Sequence, residues 1–166
     1  MKNTKSQIYG QVFIYILTIL LVSFILIYGY NAMQDFKDRA EQVSCLKFKE
    51  DLKSSIVSIL SDFGSVKRKD FRVCNNYKEV CFVETYGFDI VFDADFDYSG
   101  IDPIIVDNII SKTGKNTFLV DNVAKELFYI GNISVDPDVF CINSKNSQIS
   151  LRLEGVGNHV ILSEWK

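Results

Sequence analysis

Proline is nearly absent, with Pro103 and Pro137 the two in 166 residues, and His159 is the single histidine. With so little proline and 48% apolar residues, the composition does not suit a long disordered tail, so the chain beyond its first segment is expected to fold. One histidine, lying in an expected terminal strand, is accounted for by a structural or surface role rather than general-base work. No stripe of Lys and Arg is present either. The run Lys67-Arg68-Lys69 is broken at once by Asp70, and beside a net charge of -3 it reads as a solvated turn or strand edge, so no nucleic-acid partner is expected. Also missing are a GxSxG elbow, a P-loop, an HExxH helix and a dinucleotide fingerprint. Gly155 and Gly157 lack the third glycine and the strand-to-helix context of a phosphate loop, and belong in a turn. No enzyme activity, cofactor or identifiable small-molecule substrate is expected.

What is present begins with an uncharged run, Val12 to Tyr30, in which Thr18, Ser23 and Gly29 are the only non-apolar members. About 19 residues at 1.5 Å each span roughly 28 Å, close to the hydrocarbon thickness of a bilayer. Tyr9, Tyr15, Tyr28 and Tyr30 lie towards its ends, where an amphipathic ring suits the water-lipid boundary. A buried core helix would need more protein to wrap it. The run is too long for a signal peptide, and Tyr28 to Met33 is a poor cleavage site, so a retained anchor in contact with membrane lipid is expected.

Orientation rests on two weak asymmetries. Lys2 and Lys5 precede the span while Lys37, Arg39, Lys47 and Lys49 follow it, against the usual basic bias. With acids and the α-amine included, the first flank is positive and residues 31–50 are neutral. Cys45, Cys74, Cys81 and Cys141 all follow the span, are even in number and show no zinc spacing. Disulfides outside the cytoplasm are therefore expected, Cys74–Cys81 across a turn and Cys45–Cys141 by remainder, with four buried free thiols as the alternative. Asn132-Ile133-Ser134 is a glycosylation sequon.

Beyond the span, Phe36, Ala40, Val43, Leu46, Leu52, Ile56, Ile59, Leu60 and Phe63 recur at helical spacing. The anchor should continue as an amphipathic helix to Gly64, a rod of about 78 Å from Val12 to Phe63 at 1.5 Å per residue. The period then changes to alternation in Phe88 to Tyr98, in Ile149-Leu151-Leu153 and in His159 to Leu162, the last two joined by a Gly155 to Asn158 turn. Further strands are expected at 71–74, 80–84, 118–120, 127–130 and 139–142. A short helix starts at Asp102-Pro103, ends near Lys112 and Gly114, and offers Ile105, Val106, Ile109 and Ile110 to the sheet. Asp93, Asp95 and Asp97 have a DxDxD spacing that could surround calcium, but Tyr98 replaces the turn glycine and Ile104 the closing glutamate, so a solvated acidic strand face is the better reading.

The residues Lys5-Ser6-Gln7, Gly10-Gln11 and the run from Val12 through Tyr30 resemble archaeal type IV pilin-like proteins and related single-span archaeal membrane proteins. That resemblance implies peptidase cleavage before Gln7 or Gln11 and packing of anchor helices between copies. The expected organisation is a leader, 1–11, a transmembrane helix, 12–30, an amphipathic extension, 31–63, and an extracytoplasmic head, 64–166. The fold class is α+β: a long helix on a mainly antiparallel sheet with one short helix. The expected function is a noncatalytic, pilin-like surface or assembly subunit that self-associates through its N-terminal helix. An unprocessed, membrane-tethered binding protein is the alternative.

Overall fold

The computed structural model describes residues 5–74, 77–85 and 99–165. The expected Phe88 to Tyr98 strand, with Asp93, Asp95 and Asp97, lies outside them. The fold is α+β, opening with one helix, α1 (Lys5–Leu60). The chain divides into two compact units, residues 1–42 and 43–166.

The first unit is helical, and its apolar side chains from Val12 to Phe36 are exposed throughout. Thr18 donates to the carbonyl of Tyr15 at 2.9 Å and Ser23 to that of Ile19 at 2.8 Å, so both hydroxyls are satisfied within the helix.

The second unit holds the last turns of α1 and two four-stranded sheets. The strands are β1 (Val66–Arg72), β2 (Glu79–Val83), β3 (Thr117–Val120), β4 (Ala124–Phe128), β5 (Ile133–Val135), β6 (Val139–Asn143), β7 (Gln148–Gly155) and β8 (Val160–Glu164). One sheet has the order β1-β7-β8-β5 and the other β4-β3-β2-β6. All pairings are antiparallel except β5 with β8.

Alternation puts Ile149, Leu151 and Leu153 of β7 inward and Ser150, Arg152 and Glu154 outward. Those inward residues, Val80 and Phe82 of β2, and the α1 stripe Cys45, Phe48, Leu52, Ile56 and Ile59 share one core. Phe48 joins the sheets through edge-on contacts with Phe71 and Phe128, at 6.5 and 6.4 Å between centroids. Of the residues expected on the apolar face of this helix, Leu52, Ile56 and Ile59 are buried, whereas Val43 and Leu46 are exposed; the helix ends at Leu60 rather than continuing to Phe63, which is exposed in the turn that follows. Apolar residues occupy several faces of this helix, and contact with the sheets selects one.

The short helix α2 (Pro103–Ile110) is capped by Asp102, whose carboxylate accepts from the Ile104 N–H at 2.8 Å. Ile105 and Ile109 pack on the second face of β2 and β3, against Cys81, Val83, Phe118 and Val120. Ile110, expected on that face, is exposed. The sheet β4-β3-β2-β6 is thus covered on both faces, and every residue of β3 is buried.

Candidate functional site

The four cysteines form two disulfides, Cys45–Cys74 and Cys81–Cys141. This corrects the expected Cys74–Cys81 and Cys45–Cys141 pairing. Strands β1 and β2 enter different sheets, so no hairpin joins Cys74 to Cys81. Cys74 instead meets Cys45 of α1 in the main core, while Cys81 of β2 stands directly opposite Cys141 of β6. The first bond closes a separation of 29 residues and ties the helix to the segment after β1. The second lies on the sheet face that α2 covers.

His159 lies in the turn before β8, half-buried, with its Nδ1 2.8 Å from the Asn158 Oδ1. Asn132 is exposed at the entrance to β5 and its Oδ1 accepts from the Tyr129 hydroxyl at 2.8 Å. Lys67, Arg68 and Lys69 lie on β1, at the edge of its sheet. Lys67 pairs with Asp62 at 3.0 Å, and Arg68 with Asp70 at 3.3 Å while lying over the Trp165 ring. Exposed pairs like these contribute little to stability, and charge on an edge strand discourages further pairing.

Two polar clusters hold the head together. Lys49 of α1 pairs with the Glu126 carboxylate at 2.6 Å and lies over the Phe128 ring, and the Tyr77 hydroxyl is 3.5 Å from the same carboxylate. Burial pushes the Tyr77 phenol above its ordinary pKa, with the Glu126 charge adding to the effect. The fully buried Asn116 donates to the Gly131 carbonyl at 2.7 Å and accepts from the Ile130 N–H at 3.1 Å. Glu84 accepts from the Val135 N–H at 2.7 Å. These bonds fix the β4–β5 connection and the end of β5 against the segments that flank β2 and β3, which the alternation of apolar residues could not indicate.

Among the described residues, one group of three combines metal-ligating side chains at close range: Glu79, Cys81 and Cys141, with donor atoms all within 4.8 Å of one another. Glu79 and Cys81 are two apart on β2 and so share a face, and Cys141 opposes Cys81 across the ladder. A cavity of about 260 Å³ adjoins them, bounded also by Asp102, Ile105, Val120 and Val139. Another groove, of about 380 Å³, runs between α1 and β1 and is lined by Lys47, Asp51, Lys69 and Arg72. Spacing along the sequence hid the first group, because 60 residues separate its two cysteines.

Among the described residues, α1 is the one helix long and apolar enough to cross a membrane. No family model, curated protein or solved structure matches the chain.

Proposed function

We propose that the chain is a noncatalytic, membrane-anchored surface protein, a pilin-like structural or assembly subunit with its N-terminus in the cytoplasm and its head outside. The observation that carries this reading is the continuity of α1, which is apolar and exposed from Val12 to Tyr30 and core-forming from Cys45 to Ile59. An anchor that also supplies the spine of the head suits a structural subunit, because pulling on the head loads the helix directly. Thr18 and Ser23 donate to the helix's own carbonyls, so neither of these two hydroxyls is stranded in lipid. Two disulfides using all four cysteines fit an oxidising compartment, which favours a head outside the cytoplasm. Membrane lipid and the anchors of neighbouring copies are the partners this reading requires.

N-terminal peptide mass spectrometry on native material tests it. A mature chain beginning at Gln7 or Gln11, recovered from sheared filaments, supports the pilin-like subunit. An intact Met1 on chains confined to membranes supports instead a permanent single-pass anchor carrying an extracytoplasmic binding head. Specific turnover abolished by one head-domain substitution would overturn the noncatalytic reading.

A further inference from the structure

We propose that Glu79, Cys81 and Cys141 form a site for a soft divalent cation of the zinc class, which opens when the Cys81–Cys141 disulfide is reduced. After reduction the donor set is two thiolates and a carboxylate, ligand types that zinc takes, and in the disulfide form the Glu79 carboxylate already lies within 4.8 Å of both sulfurs. In a tetrahedral site with metal-sulfur distances of about 2.3 Å, ligand atoms stand roughly 3.5–4 Å apart. Once the S–S bond opens, rotation about the cysteine side-chain bonds lets the two sulfurs separate to that spacing beside the Glu79 carboxylate. The adjoining cavity of about 260 Å³ leaves room for water at the fourth position. Asp102 also lines that cavity, but its two oxygens accept from the N–H groups of Ile104 and Ala124 at 2.8 and 2.9 Å. It stays a helix cap, so the protein supplies three ligands.

Access separates this disulfide from the other. Cys141 is exposed, on β6 at the outer edge of its sheet, whereas Cys45 and Cys74 are 5% and 1% exposed inside the main core. Thiol–disulfide exchange needs a thiolate to reach a sulfur, and Cys141 is the exposed cysteine of this pair while Cys81 is buried. An external dithiol attacks the Cys141 Sγ, releasing the Cys81 sulfur, and its second thiol then closes on the first. The dithiol leaves as a cyclic disulfide, oxidised by two electrons, and Cys81 and Cys141 are left as two thiols. Cation binding displaces both thiol protons, and the ionised Glu79 completes the set. The strands survive the change, since five register pairs join β2 to β6 and Cys45–Cys74 stays closed.

The test uses the full chain in detergent, treated with graded dithiothreitol and then freed of it without air. Alkylation mapping reports which cysteines opened, and cadmium serves as the probe because its thiolate bonds give an ultraviolet charge-transfer band. The expected result is that Cys81 and Cys141 alkylate before Cys45 and Cys74, and that the partly reduced chain binds one cadmium with a two-thiolate band. Zinc should compete for the same site. Glu79→Gln, which leaves the disulfide able to form, should keep the band and weaken affinity by about tenfold or more, while Cys141→Ser should abolish the two-thiolate band. Simultaneous opening of both disulfides, or no band once Cys81 and Cys141 are free, would overturn the proposal. An affinity unchanged in Glu79→Gln would remove the carboxylate and with it the three-ligand site.

Discussion

Gly155 shows how one side chain can be excluded by its surroundings. A Cβ there would lie 2.1 Å from the Ile59 carbonyl oxygen and 2.7 Å from that of Asp62, where the end of β7 passes the end of α1. The contact is backbone against backbone, and it is fixed by the Gly64 N–H donating to the Gly155 carbonyl at 2.8 Å. Gly155→Ala is therefore expected to destabilise the head by roughly 2–3 kcal/mol through forced displacement. Gly29→Ala, with nothing within 4 Å of the new Cβ, should show no such loss. Denaturation midpoints followed by near-ultraviolet circular dichroism compare the two. Tyr77 carries a pH prediction. Its pKa is raised in the folded chain by burial and then by Glu126, so its contribution is present below about pH 10 and declines as pH rises through the folded value, because the unfolded chain ionises first. Measured from pH 8 upward, Tyr77→Phe should flatten the alkaline loss of stability relative to the native chain.

Along α1, the second half has two faces with different consequences. Ile56 is fully buried among both sheets, whereas its neighbour Val57 is 56% exposed. Ile56→Ala should cost about 2–5 kcal/mol and Val57→Ala within about 0.5 kcal/mol of nothing, as read by urea denaturation. Cys45–Cys74 closes 29 residues of chain, and the loop-entropy relation puts its loss at about 3–4 kcal/mol, so Cys45→Ser with Cys74→Ser should lower the midpoint accordingly. The sequence made the apolar span legible as a run without charge, and α2 legible through Asp102 and Pro103. It made β7 and β8 legible through alternation about a turn. It did not reveal β5, which is three residues long, or the first half of β1, where Val66-Lys67-Arg68-Lys69-Asp70 is held by ladder bonds to β7 rather than by burial. The disulfide pairing was illegible for a related reason: it depends on which sheet each strand joins, and short sequence separation favoured the wrong partner. The cluster at Glu79 depended on the same cross-strand register.

At the scale of the molecule, the two ends of α1 meet different environments. The first unit exposes a continuous run of apolar side chains, long enough to cross a membrane, and the second closes a core with two disulfides. The most direct test of a membrane-anchored, disulfide-closed head is mass spectrometry of the thiol-blocked native chain from carbonate-washed membranes, as intact mass and as a proteolytic digest, with and without reduction. The account predicts recovery in the membrane pellet, no blocked cysteine before reduction, and crosslinked peptides joining Cys45 to Cys74 and Cys81 to Cys141. Recovery in the soluble fraction with four blocked thiols would contradict it.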